Sequence, residues 1–143
     1  MSLKAMRRLG AITLLIVGAV HLQQYIGNDY SVLPVIGPLF LLNAIGAGIV
    51  AIGLLAPIER MLGARQADLV AGLLTVVALA IAVGSLVALF IAESQPLFGF
   101  MEYGYGTPIL IAIVAEALTT ILLVPVAAGE LARVRVRRSS AAF

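Results

Sequence analysis

The sequence predicts an all-α integral membrane protein: a single domain folded as a four-helix transmembrane bundle, running up-down-up-down with both termini in the cytoplasm. Three observations predict it. Of the 143 residues, 62% are hydrophobic and 11% charged, whereas a soluble domain carries about a quarter charged residues; the mean hydropathy is +1.14. Four apolar stretches, Leu9 to Ile26, Pro38 to Ala56, Leu69 to Ala92 and Pro108 to Ala128, bracket the ~20 residues that cross ~30 Å of hydrocarbon at 1.5 Å per residue. Finally, the cations gather on one side of the implied hairpins.

The stretches are continuous, where barrel strands would alternate over about ten residues, and a helix satisfies its own backbone in hydrocarbon. The first runs from 9 to 26 behind Lys4, Arg7 and Arg8. That start is similar to a signal peptide, but no small-x-small site follows before His21, so an uncleaved helix is expected. The second, 38 to 56, opens with proline at Gly37-Pro38 and ends at Pro57, proline being tolerated where the first turn has no amide to satisfy. Asp68 is the expected cap of the third, 69 to 92, and Thr107-Pro108 opens the fourth, 108 to 128. Pro125 predicts a kink near its end.

Lys4, Arg7 and Arg8 precede helix 1, Arg60 and Arg65 join helices 2 and 3, and Arg133, Arg135, Arg137 and Arg138 follow helix 4; these nine are all the Lys and Arg of the chain. Positive short loops stay cytoplasmic, which sets the orientation. The basic tail 131–143 is expected to rest on anionic inner-leaflet lipid, at about 1 kcal/mol per basic residue. Nucleic-acid binding is not expected, because no basic groove with interleaved aromatics exists. Eight arginines against one lysine are associated with GC-rich bacterial genomes, so the bacterial inner membrane is the expected location.

Cysteine and tryptophan are absent and His21 is the only histidine. Thiolate chemistry, iron–sulfur clusters and Cys-based zinc sites are thereby excluded, and one chain cannot build a multi-histidine metal site. No phosphate loop or catalytic triad pattern is present, so no catalytic residue is assigned. Gly104-Tyr105-Gly106 matches the central triplet of potassium filters, but Glu102 and Tyr103 replace the expected threonine and valine. The connection also has no room for a pore helix, so a flexible outer loop is expected.

Polar residues inside the spans are the informative ones. A charged side chain at mid-helix costs ~2.5 to 3.5 kcal/mol, so Glu116 must face protein or a wet cavity. Thr119 and Thr120 share its side of the helix with Ala112 at three- and four-residue spacing. Counting 1.5 Å per residue, His21, Asn43 and Glu116 lie about 8, 8 and 12 Å from the outer helix ends, at similar depth. The cluster His21, Asn43, Glu116, Thr119 and Thr120 has two readings: interhelical hydrogen bonds that lock the packing, or an outward-facing pocket for a proton or ligand. Eight of nine aromatics also fall in or near the outer half, and a lid of Tyr25, Phe40, Phe98, Tyr103 and Tyr105 over the bundle follows. Small residues supply close-approach stripes, Ala80, Gly84 and Ala88 on helix 3, and Ala44, Gly48 and Ile52 on helix 2. They serve contacts within the bundle or in a homo-oligomer.

The arginine pair and glycine opening helix 1 (Arg7, Arg8, Gly10), the small stretch ending in a polar residue (Gly18, Ala19, His21) and Gly37-Pro38-Leu39-Phe40 at the start of helix 2 together resemble the small bacterial four-helix membrane proteins grouped as DoxX-like. That resemblance implies the four-span topology over the whole chain and a link to membrane quinone oxidoreductase complexes; it transfers no catalytic residue. The leading expectation is a non-enzymatic accessory subunit of a membrane complex; the alternatives are a redox-associated protein binding a quinone-like ligand with no other cofactor or metal, and a proton-coupled carrier using Glu116.

Overall fold

The computed structural model describes the backbone of residues 1–140 and the side chains of residues 1–133; Arg135, Arg137, Arg138 and Phe143 therefore lie outside the described side chains. Among the described residues there are four helices long and apolar enough to cross a membrane. They are α1 (Leu3–Gly27), α2 (Ile36–Leu55), α4 (Ala64–Ser94) and α5 (Thr107–Ser140), with a single turn, α3 (Ile58–Met61), between α2 and α4. At 1.5 Å per residue α4 is about 46 Å long and α5 about 51 Å, both longer than the hydrocarbon they would cross.

Local chemistry sets the ends. Ser2 Oγ accepts from the Ala5 amide at 3.2 Å, one of the four amides a helix start leaves free, so α1 begins six residues before its apolar stretch. It ends where Asn28 folds back, its amide on the Gln24 carbonyl and its side chain on the Gln24 side chain. Asp29 then takes φ 58°, the left-handed region that Asp tolerates, and turns the chain into a 3-10 turn, Tyr30–Val32. Pro57, with no amide to donate, follows the Ala56 cap of α2.

Two expected boundaries are corrected. Gly63, not Asp68, caps α4, because Ala64-Arg65-Gln66-Ala67 are strong helix formers that hydropathy does not register; Asp68 lies inside the helix. The tail from 131 continues α5 to Ser140, with Pro125 inside the same helix.

Packing inverts the size order of a soluble core. The inward face of α4 is Ala67, Ala71, Thr75, Ala78 and Ala82, while Leu73, Val76, Val87 and Phe90 point outward. Hydrocarbon gives large side chains no reason to turn inward, and small ones let helices approach. Of the expected stripe on this helix, Ala80 and Gly84 are exposed and Ala88 is half-buried. On α2, Ala44 and Gly48 do meet α1, at Gly18. Helix α1 packs chiefly on α2 and α5, and α4 on α5 and less on α2. Leu14, Leu54, Val17 and Leu123 are fully buried at the centre. Gly10 makes the α1–α5 seam possible, since a Cβ there would stand 2.5 Å from Leu123 Cδ2.

At one end of the bundle Arg7 of α1 binds Glu59 of α3 at 2.8 Å. At the other, residues 95–106 make a reversal in which Leu97 and Phe100 exchange both backbone hydrogen bonds. Phe98 (φ 52°) and Gly99 (φ 82°) are its central residues, the two positive φ values of a type I′ turn. The amide of Glu102 then returns to the Ala92 carbonyl at 3.0 Å, which holds the loop over the helix ends.

Candidate functional site

Between the upper halves of the four long helices and the two loops above them lies a cavity of about 140 Å³. Its walls are mainly apolar, from Ile36, Leu39, Leu89 and Ile109 among others, with polar groups of four helices at one level. An apolar cavity of about 150 Å³ is large enough to hold a benzene ring.

His21, on α1, is buried. Its Nδ1 lies 2.9 Å from the Val17 carbonyl one turn back, which holds the ring against Phe40 with centroids 4.9 Å apart. Its Nε2 lies 3.9 Å from Glu116 Oε1 on α5, close enough for electrostatic attraction but beyond a hydrogen bond. Glu116 is 2% exposed. Asn43, on α2, does not meet either; its Nδ2 donates to Ser85 Oγ on α4. Ser85 is the link that sequence reasoning missed. Its hydroxyl sits 2.9 Å from the Ile81 carbonyl and also reaches the Glu116 carboxyl. A serine in an apolar helix ordinarily returns its proton to its own backbone, so nothing in the sequence distinguishes it.

The threonines expected beside Glu116 are placed elsewhere. Thr119 Oγ1 lies 2.8 Å from Thr13 Oγ1 on α1 and 2.8 Å from the Ala115 carbonyl, in the α1–α5 seam and outside the cavity wall. Thr120 donates to the backbone carbonyl of Glu116, not to its side chain. Both hydroxyls are satisfied before they could serve a ligand.

The roof also differs from the expected lid. Of its five aromatics only Phe40 lines the cavity. Tyr103 is 82% exposed and Phe98 66%, Tyr105 stands outside as well, and Tyr25 is not among the lining residues. Tyr30 and Phe100 cover the site instead. Tyr30 stacks on Phe40 at 4.7 Å and on Phe100 at 5.5 Å, and its hydroxyl donates to Glu102 Oε2 at 2.6 Å. Burial, and then the Glu102 carboxylate, push the Tyr30 phenol above its ordinary pKa. The two loops are thereby latched to each other. Gly37 permits the arrangement, because a Cβ there would stand 2.6 Å from the Tyr30 carbonyl oxygen.

A second buried carboxyl, Glu130, lies toward the far end of α5 beside Thr75 of α4; in the sequence it reads as the start of the charged tail. Among the described residues no three His, Asp or Glu side chains stand together as metal ligands do. No family model, no curated protein and no solved structure matches the chain.

Proposed function

We propose that this chain is a multi-pass membrane protein that holds an apolar, ring-bearing compound of the quinone class in the cavity beneath Tyr30 and Phe100. The observation that carries the reading is that His21 stands apart from Glu116 at the wall of an apolar cavity. Residues that merely lock helices close on one another; here His21 and Glu116 stop 3.9 Å apart beside a cavity of about 140 Å³. Apolar walls with a few convergent polar groups are the usual make-up of a small-molecule site. The likeness to DoxX-like proteins, with their link to quinone chemistry, belongs to the same proposal.

The proposal includes orientation. Lys4, Arg7, Arg8, Arg60, Arg65 and Arg133 belong to the end that carries the Arg7–Glu59 pair. The positive-inside rule puts that end in the cytoplasm of a bacterial inner membrane, in contact with anionic lipid. The helices then run up-down-up-down and the cavity opens on the outer side.

Gentle extraction followed by mass spectrometry of the intact chain tests the reading. The wild type carries a small apolar compound that His21→Ala loses while remaining folded. Repeated preparations with nothing bound would refute it. A second reading, an accessory subunit or homo-oligomer, is favoured by the exposed Ala80 and Gly84 on α4: a Cβ at Gly84 would meet nothing within 4 Å, which leaves a notch for a neighbouring helix.

A further inference from the structure

Hydrogen-bonding capacity around the cavity is lopsided. A carbonyl only accepts, so the contact with Val17 puts the proton of the neutral His21 ring on Nδ1 and leaves Nε2 an acceptor. The single proton of Ser85 is engaged with the Ile81 carbonyl or the Glu116 carboxyl. Ser85 therefore accepts from Asn43, which fixes the orientation of that amide. Asn43 Oδ1 is then left buried without any partner. Glu116 keeps at least one acceptor oxygen in either protonation state and gains one O–H donor when protonated. The Tyr30 proton is committed to Glu102.

Three acceptors thus converge on the floor of the site, and of these Asn43 Oδ1 has no donor at all. Gln24, one turn toward the loops from His21, has its Oε1 taken by Asn28 and keeps its Nε2 as a donor. A ring with a carbonyl oxygen facing Asn43 Oδ1 would meet an acceptor with an acceptor. A ring with a hydroxyl there would satisfy one of them, and an oxygen at its other edge would suit Gln24.

Resting on the ligand reading above, we propose that the cavity selects a hydroxylated ring, a phenol or hydroquinone, over the corresponding quinone. An unpaired buried acceptor costs on the order of tenfold in affinity or more, so the preference is at least about tenfold. The test uses the full chain in nanodiscs, without oxygen and with ascorbate present for the reduced probe. Three probes of one shape are compared: decylhydroquinone, decylbenzoquinone and the dimethyl ether of the hydroquinone.

The expected result is that decylhydroquinone has a Kd at least about tenfold below both others, a ratio set by the same cost of an unpaired acceptor. In Asn43→Leu that ratio falls to about threefold or less. His21→Phe, which keeps a ring against Phe40 but removes an acceptor, lowers the ratio independently should the Asn43 variant misfold. Equal binding of all three probes overturns the donor preference and leaves the site standing. Binding of none overturns both.

Discussion

The seam between α1 and α5 sets the distance between His21 and Glu116, and it can be wedged open at a residue remote from the cavity. Replacing Gly10 with alanine puts a methyl carbon 2.5 Å from Leu123 Cδ2 and 2.7 Å from Cγ, where carbon atoms rest about 3.5–4.0 Å apart. Something must move by about 1 Å. Leu123 is fully buried, so it has little space to retreat, and overpacking of this kind costs about 1–3 kcal/mol. Leu123→Ala alone leaves a hole and costs about 2–5 kcal/mol. In the double variant the new methyl occupies part of that hole, so the two costs fall short of additivity by at least about 1 kcal/mol. Reversible unfolding in mixed micelles measures all three. Gly10→Ala should also reduce the bound compound, since parting the helices there widens the gap above. Strict additivity, or a Gly10→Ala protein as stable as wild type, would refute the packing argument.

Three further outcomes are expected. The Glu59 carboxyl is held below its ordinary range, first by a backbone amide and then by the Arg7 guanidinium, so its contribution is complete above that range and is lost as pH falls through the folded value. Because the Glu59 side chain is exposed, Glu59→Gln costs only about 0.2–1 kcal/mol at neutral pH and nothing in strong acid, read from unfolding at both pH values. Tyr30, raised above its ordinary value, contributes below that value and loses its contribution as pH climbs through the folded one. Absorbance titration of Tyr30→Phe should lack the last phenol to ionise, and loss of an earlier phase would contradict the latch. Gly84→Leu should change monomer stability by less than about 0.5 kcal/mol, yet abolish any cross-link through α4 if that face pairs with another helix.

Hydropathy made the four long helices legible, because 20 apolar residues have few other uses. Their ends were less legible where polar helix formers such as Arg65 and Gln66 carry a helix beyond its apolar stretch. Depth is similarly readable: counting residues puts His21 and Glu116 at one level, and they stand 3.9 Å apart. Rotation about the helix axis is not, since four nearly uniform apolar helices give a weak signal of facing. Asn43 turned toward Ser85 and Ala80 turned outward for that reason. Counting aromatics located the roof without choosing its members. That choice was made by the turn at Phe98-Gly99, which throws Phe98 out and brings Phe100 over Tyr30.

Leu14, Leu54 and Leu123 form a dry waist beneath the cavity, and Glu130, the next buried acid on α5, is 14 residues beyond Glu116, about 21 Å along the axis. A membrane potential acts with about 2.3 kcal/mol per charge per 100 mV over the full thickness, and in the proposed orientation the part that falls across the waist does not act on the cavity. In the proposed orientation, a proton that accompanies a ligand into or out of the site would cross only the shallow remainder, so occupancy should respond to the proton concentration outside and hardly at all to voltage.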